Sequence, residues 1–434
     1  LLFTAVSCNK PTEPPPPEKY DLEIIAADAS CTEVWIDVKT PNTLLPQIFT
    51  LTENGEEKGS VTIDKADTTI VIENLLPKKN YKYQLKNNEH KSNQTEITTL
   101  DTTSHNFTWQ TFEFGQHSSS VLYDVAIIDE NNIWAVGEIY MNDSNGNPDP
   151  TFYNAVHWNG TEWELKKIFY KGGIWPIRTI FAFNDNDIWF SGYMRYLNSQ
   201  FIELAIPNLL MGWQINKLWG TSSDDLYAVG NGGNIAHWNG SSWKKIESPI
   251  GTSGTDLTLL DIQANGREEI FICGLNMASI DGIIIKSEDG INFNILVEGD
   301  NITAEQLFNP KLHGTIASIS VDNSNTLYAA GNLVYQYKFN KWDYLNSLPE
   351  NYIGGNPGTF YRGYITKIRA IASNNIWLAG DRNTVRHFNG LSWQQIGMPY
   401  NPQMDLIWRG IDSRSSLTAI AGSHNNNAII MIIK

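Results

Sequence analysis

The sequence predicts an all-β chain in two unlike parts, a small sandwich followed by a ring of repeated four-stranded units. Three observations predict it. The first is composition: 434 residues include 15 Trp, 18 Tyr and 17 Phe, and the chain is rich in Gly and Asn. Long stretches of Ala, Leu, Glu and Lys are few, a mixture that favours strands and turns over helices. The second is a series of short alternating segments between residues 20 and 100. The third is a pattern that recurs from residue 107 onward. Hydrophobic residues make up 41%, enough to fill a core in each part. The net charge of −16 repels phosphate backbones, which argues against nucleic acid as a partner.

The first segment, residues 1–19, reads LLFTAVSCNKPTEPPPPEK. An apolar run leads to small residues and then Cys8, which resembles the end of a bacterial lipoprotein signal peptide with Ala5-Val6-Ser7-Cys8 as its lipobox. That resemblance implies removal of residues 1–7 and lipidation of Cys8; the other reading is a plain secretory signal. Pro11, Pro14, Pro15, Pro16 and Pro17 then form a stiff, extended spacer. No later run is long and apolar enough to span a bilayer. The expected location is the cell envelope, with the chain anchored by lipid to the outer membrane or exposed at the cell surface. The other two cysteines, Cys31 and Cys273, sit in strand-like text and read as buried thiols.

Residues 20–100 contain seven strand-like pieces: DLEIIAADA, EVWIDVKT, QIFTLTENG, GSVTIDK, TTIVIENL, YKYQLKNN and NQTEITTL. Seven short strands separated by turns predict a sandwich. Within LLPKKNYKYQLKN, a Leu, a Pro and then Tyr81 entering a strand resemble the tyrosine corner of fibronectin type III domains. The resemblance implies an immunoglobulin-like (fibronectin type III) sandwich acting as a spacer. Residues 101–106 are a linker.

From 107 to 434 the repeat has an apolar strand, an Asn/Asp-rich turn, a strand ending in Gly, a third strand, Asn-Gly, and a fourth strand led by Trp. Its clearest copy is RAIASNNIWLAGDRNTVRHFNGLSWQQI. Gly137, Gly192, Gly230, Gly274, Gly331, Gly380 and Gly422 mark seven units. Units of about 47 residues with four strands each have the size of propeller blades. The seventh unit stops after its third strand. Its fourth is expected from TWQTF at 108–112, which has the form of SWQQI at 392–396. Such closure removes an exposed sheet edge. The prediction is a seven-bladed β-propeller closed by an N-terminal strand, Trp109–Phe114.

Three copies carry His, an aromatic residue, Asn-Gly and Trp: HWNGTEW at 157–163, HWNGSSW at 237–243 and HFNGLSW at 387–393. Asn-Gly predicts a type I′ hairpin turn between third and fourth strands. His157, His237 and His387 then belong to separate blades, too far apart to share a zinc ion. LWGTSSDDLYAVG and SEDGINF (287–293) resemble the repeats of bacterial Asp-box and photosystem II assembly factor-like propellers. The resemblance implies the fold and leaves the function open.

Function is expected on the long connections at 138–153, 169–177, 193–200, 247–256, 298–314, 346–364 and 397–406, all of one class and hence on one face. Their aromatic and arginine side chains either bind a ligand or plug the loops onto the blades. The candidate ligand-binding residues are Tyr153, Trp175, Tyr361, Arg362 and Tyr364, joined by Arg178, Arg369 and Arg409. These three arginines share the form Arg-x-Ile at blade starts and either line the channel mouth or pack. The 142–149 loop has the rhythm of a calcium loop, but Pro148 and Asn154 stand where Gly and a bidentate Glu belong, so no metal is assigned. No P-loop, dinucleotide fingerprint or Ser-His-Asp signature occurs, and no catalytic residue or cofactor is assigned. The resulting expectation is a monomeric, non-catalytic surface lipoprotein whose propeller binds a glycan or protein ligand. The alternatives are a propeller glycosidase or polysaccharide lyase, for which the three arginines or two acidic groups would converge in one pocket, and an envelope assembly scaffold.

Overall fold

The computed structural model describes residues 20–204, 214–249, 257–266, 269–276, 281–298, 314–345, 364–397 and 404–434. The chain divides between Leu100 and Asp101 into two compact units.

The first unit holds β1 (Glu23–Ala29), β2 (Val34–Lys39), β3 (Gln47–Glu53), β4 (Glu56–Ile63), β5 (Asp67–Ile72), β6 (Asn80–Lys86) and β7 (Thr95–Thr98). They form two antiparallel sheets in the orders β1-β2-β5 and β4-β3-β6-β7. Alternation along each strand sends Ile36, Ile70, Phe49, Tyr83 and Leu85 into one core. Cys31 is buried as well. β3 and β4 are joined by Asn54-Gly55 at φ 54° and 90°, a two-residue turn with both residues left-handed. The hydroxyl of Tyr81 accepts a hydrogen bond from the Leu76 amide at 2.9 Å and pins the loop before β6.

The second unit begins with β8 (Trp109–Phe114) and continues as seven four-stranded antiparallel sheets. The first contains β9 (Val121–Asp129), β10 (Asn132–Ile139), β11 (Tyr153–Trp158) and β12 (Trp163–Lys166). A small hairpin, β13 (Phe169–Tyr170) and β14 (Gly173–Ile174), precedes the second sheet. That sheet is β15 (Ile180–Asn184), β16 (Asp187–Phe190), β17 (Met194–Leu197) and β18 (Gln200–Glu203). The third is β19 (Ile215–Ser222), β20 (Asp225–Gly230), β21 (Ile235–Trp238) and β22 (Trp243–Ile246). The fourth is β23 (Leu257–Ala264), β24 (Ile270–Asn276), β25 (Asp281–Ser287) and β26 (Phe293–Glu298). The fifth is β27 (Ile316–Val321), β28 (Leu327–Gly331), β29 (Val334–Lys338) and β30 (Lys341–Tyr344). The sixth is β31 (Ile365–Ala372), β32 (Asn375–Gly380), β33 (Val385–Phe388) and β34 (Trp393–Gln395). The last has β35 (Leu406–Arg414), β36 (Leu417–His424) and β37 (Asn427–Ile433), and its fourth strand is β8. β8 runs antiparallel to β37 from Ala428 opposite Phe114 to Ile433 opposite Trp109.

The first strands pack in succession, β9 on β15, β15 on β19 and so on to β35, which packs back on β9. They therefore surround a common centre. Six of them carry a register shift near the start, at Tyr123, Asn216, Leu260, Ala317, Thr366 and Arg409. Each bulge presses a carbonyl onto the repeat glycine opposite, so a Cβ on Gly137 would land on the Val121 oxygen and one on Gly331 on the Thr315 oxygen. The recurrent glycine is thus a requirement for close approach, and its φ is not left-handed in these sheets.

Two details depart from the sequence expectation. The Asn-Gly turns of the repeats are four-residue loops, with only Gly160, Gly240 and Gly390 at positive φ. The side-chain oxygens of Asn159, Asn239 and Asn389 accept the next two free backbone amides, at 2.9–3.2 Å, so the Asn closes the turn by hydrogen bonding. Asp289 plays the same part in SEDGINF. Residues 193–200 are no long loop either: they hold β17 and a tight turn at Asn198-Ser199, φ 49° and 67°, leading into β18.

Candidate functional site

The repeat histidines do structural work. His157 stacks on Trp134 at 4.2 Å, and His237 on Tyr227 at 4.4 Å. His157 Nε2 meets Asn132 at 3.0 Å, and His237 Nε2 meets Asp225 at 2.7 Å. His387, fully buried, repeats the arrangement with Trp377 and Asn375. It also meets His105, Nδ1 to Nδ1 at 3.0 Å, which ties the segment before β8 to the sixth sheet.

The described long connections lie at the end where the first strands begin. The connection from β12 to β15 carries the β13–β14 hairpin, whose turn is Lys171-Gly172 at φ 51° and 73°. Asn154, 1% exposed, clamps this hairpin: its Nδ2 donates to the carbonyls of Ile168 and Trp175, and its Oδ1 accepts from the Ile168 amide. Asn154 therefore holds a loop, and Asp143 spends its Oδ1 on the amides of Asn145 and Asn147. Among the described residues no group of three His, Cys, Asp or Glu could hold a metal ion.

The clamp presents Trp175, which is 57% exposed. A groove of about 640 Å³ opens beside it, lined by Tyr170, Lys171, Trp175, Arg178, Tyr193 and Gln214 among others. Tyr170 and Tyr193 pack at 4.8 Å beneath it, and burial pushes the Tyr193 hydroxyl up. Arg178 reaches past the groove toward the centre, its guanidinium 4.5 Å from the Tyr123 ring. Tyr123 and Tyr140 both donate to Glu138, at 2.7 and 3.0 Å. Burial and the Glu138 bond push the Tyr123 hydroxyl up to about 12, against the pull of Arg178 and Arg409. Arg409 stands at the same bulge position as Tyr123, one sheet away, and its buried Nε has no hydrogen-bond partner among the described residues. Burial, then the like charge of Arg178, lower its basicity, against the opposing pull of Tyr123 and Asp405. Neither Arg178 nor Arg409 forms a salt bridge among the described residues.

The remaining candidates lie elsewhere. Tyr153 is half-buried under Lys167, whose ammonium sits 4.5 Å over its ring. Tyr364 is half-buried, with burial raising its hydroxyl. Tyr361, Arg362 and Cys8 lie outside the described residues. Arg369 does not join Arg178 and Arg409: it sits past the midpoint of β31 and donates to Asp261 at 3.3 Å.

That ion pair belongs to a central layer that sequence reading missed. Register places Asp124, Thr179, Lys217, Asp261, Ser318, Lys367 and Gly410 at one equivalent position, one per sheet. Lys217 donates to both Asp124 oxygens, at 2.8 and 2.7 Å, and Thr179 donates to Asp124 at 3.0 Å. Ser318 and Arg369 share one oxygen of Asp261. Burial opposes the Asp261 charge, but Arg369, Lys367 and Lys217 outweigh it and hold the carboxyl below its usual range. Aligning the repeats reveals the signal: each first strand has a polar or small residue directly before an aliphatic one, as in Asp124-Val125, Lys217-Leu218 and Lys367-Ile368.

No protein-family model matches the chain, and no curated protein matches its sequence. Solved structures do match. YCF48 bound to D1 peptide is 13% identical with a TM-score of 0.52, covering 76% of this chain and 98% of that one. YCF48 from Cyanidioschyzon merolae is 12% identical with a TM-score of 0.47, covering 75% and 98%. The WD40 β-propeller domain of Doa1 is 13% identical with a TM-score of 0.49, covering 76% and 97%. The likeness to the first, added to the closed circuit of four-stranded sheets, makes the second unit a β-propeller.

Proposed function

We propose that this chain is a non-catalytic, envelope-anchored binding protein whose propeller holds an acidic polypeptide segment at its long-connection rim. In this reading Cys8 carries the lipid and the first unit is a fibronectin type III-like spacer. The second unit is a seven-bladed propeller that β8 closes. The two sheet orders of the first unit and the Tyr81–Leu76 bond support the spacer. Seven four-stranded sheets and the β8–β37 pairing support the ring.

The observation that carries the function is the approach of Arg178 and Arg409 to one residue, Tyr123, with Arg178 also lining the Trp175 groove. Both guanidiniums lack a salt-bridge partner among the described residues, and the nearby Glu138 is occupied by two tyrosines. In a chain of net charge −16, such a cationic spot selects a carboxylate. An exposed Trp supplies apolar area beside it. The solved complex of YCF48 with D1 peptide is consistent with a polypeptide partner for this fold. The enzymatic alternative loses its three-arginine pocket because Arg369 stands apart. A Tyr123 hydroxyl pushed up to about 12 is also a poor nucleophile at neutral pH.

The test is a panel of fluorescent peptides with acidic or amidated side chains, run beside a glycan array. Acidic peptides should bind, and Arg178→Gln and Trp175→Ala should each weaken them about tenfold or more. Equal binding by both variants, or preference for neutral glycans, would rule the proposal out.

A further inference from the structure

We propose that the opposite end of the central channel is a separate binding site for a small oxyanion, a carboxylate or phosphate group. A cavity of about 310 Å³ lies there, among the later residues of the first strands. This is near the lower limit for small-molecule sites, which suits a metabolite and not a macromolecule.

Three cations line the cavity, Lys217, Arg369 and Arg414, against one carboxylate, Asp412. Asp412 is committed to the strands: its oxygens accept the amides of Ile127 and Ser413 at 2.7 and 2.9 Å. Lys217 is matched by Asp124 in the central layer. Arg369 uses only Nη1, on Asp261 and on the carbonyls of Ile319 and Ile368. Its Nε and Nη2 donate to no described group. Arg414 gives Nη2 to the Ala182 carbonyl at 3.2 Å and stands 3.8 Å from Asp412, with Nη1 making no hydrogen bond among the described residues. The Gln263 amide, also in the lining, makes no hydrogen bond among the described residues. Two guanidinium forks and an amide with unspent donors thus line one confined space, the groups that planar oxyanions pair with.

Arg414 has a side chain 42% exposed, which gives the cavity an entrance from the short-turn rim. The site lies on the far side of the central layer from Arg178, so it is independent of the polypeptide proposal. Each of the three cations has an acidic neighbour, so the cavity attracts an anion through unspent N–H donors, whose charge-assisted bonds replace the water the anion gives up.

The experiment is calorimetric titration of the full chain with inorganic phosphate and, separately, with succinate, each against chloride at equal ionic strength. One or both should bind at a single site, and the anion that binds names the source. Arg414→Gln and Gln263→Leu should each weaken it about tenfold, the loss expected for one charge-assisted or well-placed hydrogen bond. Arg178→Gln should leave it unchanged. Absence of binding by both anions overturns the proposal. So does wild-type affinity in both Arg414→Gln and Gln263→Leu, or loss of the site in Arg178→Gln.

Discussion

His387 gives the second unit a calculable pH dependence. Burial, and then the charge of His105, lower it from 6.5 to about 3. It is 0% exposed, so solvent screening does little to soften this. The pair works when His105 carries its proton on Nδ1 and His387 on Nε2, facing Asn375 at 3.2 Å. Protonating His387 would set two N–H groups against each other. The folded value lies below the unfolded one, so the unfolded chain binds more protons as pH falls. The stability is therefore complete above 6.5 and is lost progressively down to about 3. At about pH 5 the loss is near 1.36 kcal/mol per unit over some 1.5 units, or about 2 kcal/mol. The assay is urea unfolding of wild type and His387→Gln at about pH 7.5 and about pH 5, comparing the pH-induced loss within each protein. Wild type should lose about 2 kcal/mol more than the variant, although the variant is the weaker protein at neutral pH. Equal losses would refute the account, because every other titrating group is common to both.

Three further outcomes follow from the structure. Lys217→Met takes away the ion-pair partner of the Asp124 carboxylate, 2% exposed, and leaves it hydrogen-bonded, among the described residues, to Thr179 and the Ile180 amide. It should cost about 3–5 kcal/mol in urea unfolding, and adding Asp124→Leu should restore most of it. Gly410→Ala would place a Cβ 2.6 Å from the Asp124 Cα, where backbone must move. A loss of about 1–3 kcal/mol is expected, with hydrogen exchange faster in β9 and β35. Tyr81→Phe removes the acceptor of the Leu76 amide in a half-buried hydrogen bond. It should destabilise the first unit by about 1–2 kcal/mol, seen as faster exchange at residues 73–86 with the second unit unchanged.

The strands were legible because alternation and turn residues are local properties. Asn-Gly, Trp and the repeat glycine announced the units, and TWQTF announced the missing strand through its likeness to SWQQI. The central layer was hidden because its partners are far apart in sequence, 93 residues for Asp124 and Lys217 and 108 for Asp261 and Arg369. The arginines show how spelling can mislead. Ile180, Ile368 and Ile411 are equivalent in register, so Arg178 and Arg409 stand two residues before their Ile while Arg369 stands one after. Three residues of strand amount to about 10 Å, enough to send identical text to opposite mouths. The Trp175 groove was half visible: the aromatic residue was a candidate, but the Asn154 clamp that presents it needed tertiary contacts.

The β8–β37 pairing also has a consequence in time. Glu113 and its partner Asn427 are 314 residues apart, so one ribbon of the final sheet leaves the ribosome long before the other exists. At about 5–20 residues per second, the early ribbon waits tens of seconds with its amides unmatched. During that interval water takes the place of the missing mate, and a chain terminated short of Asn427 would be left with an exposed sheet edge instead of a smaller closed ring.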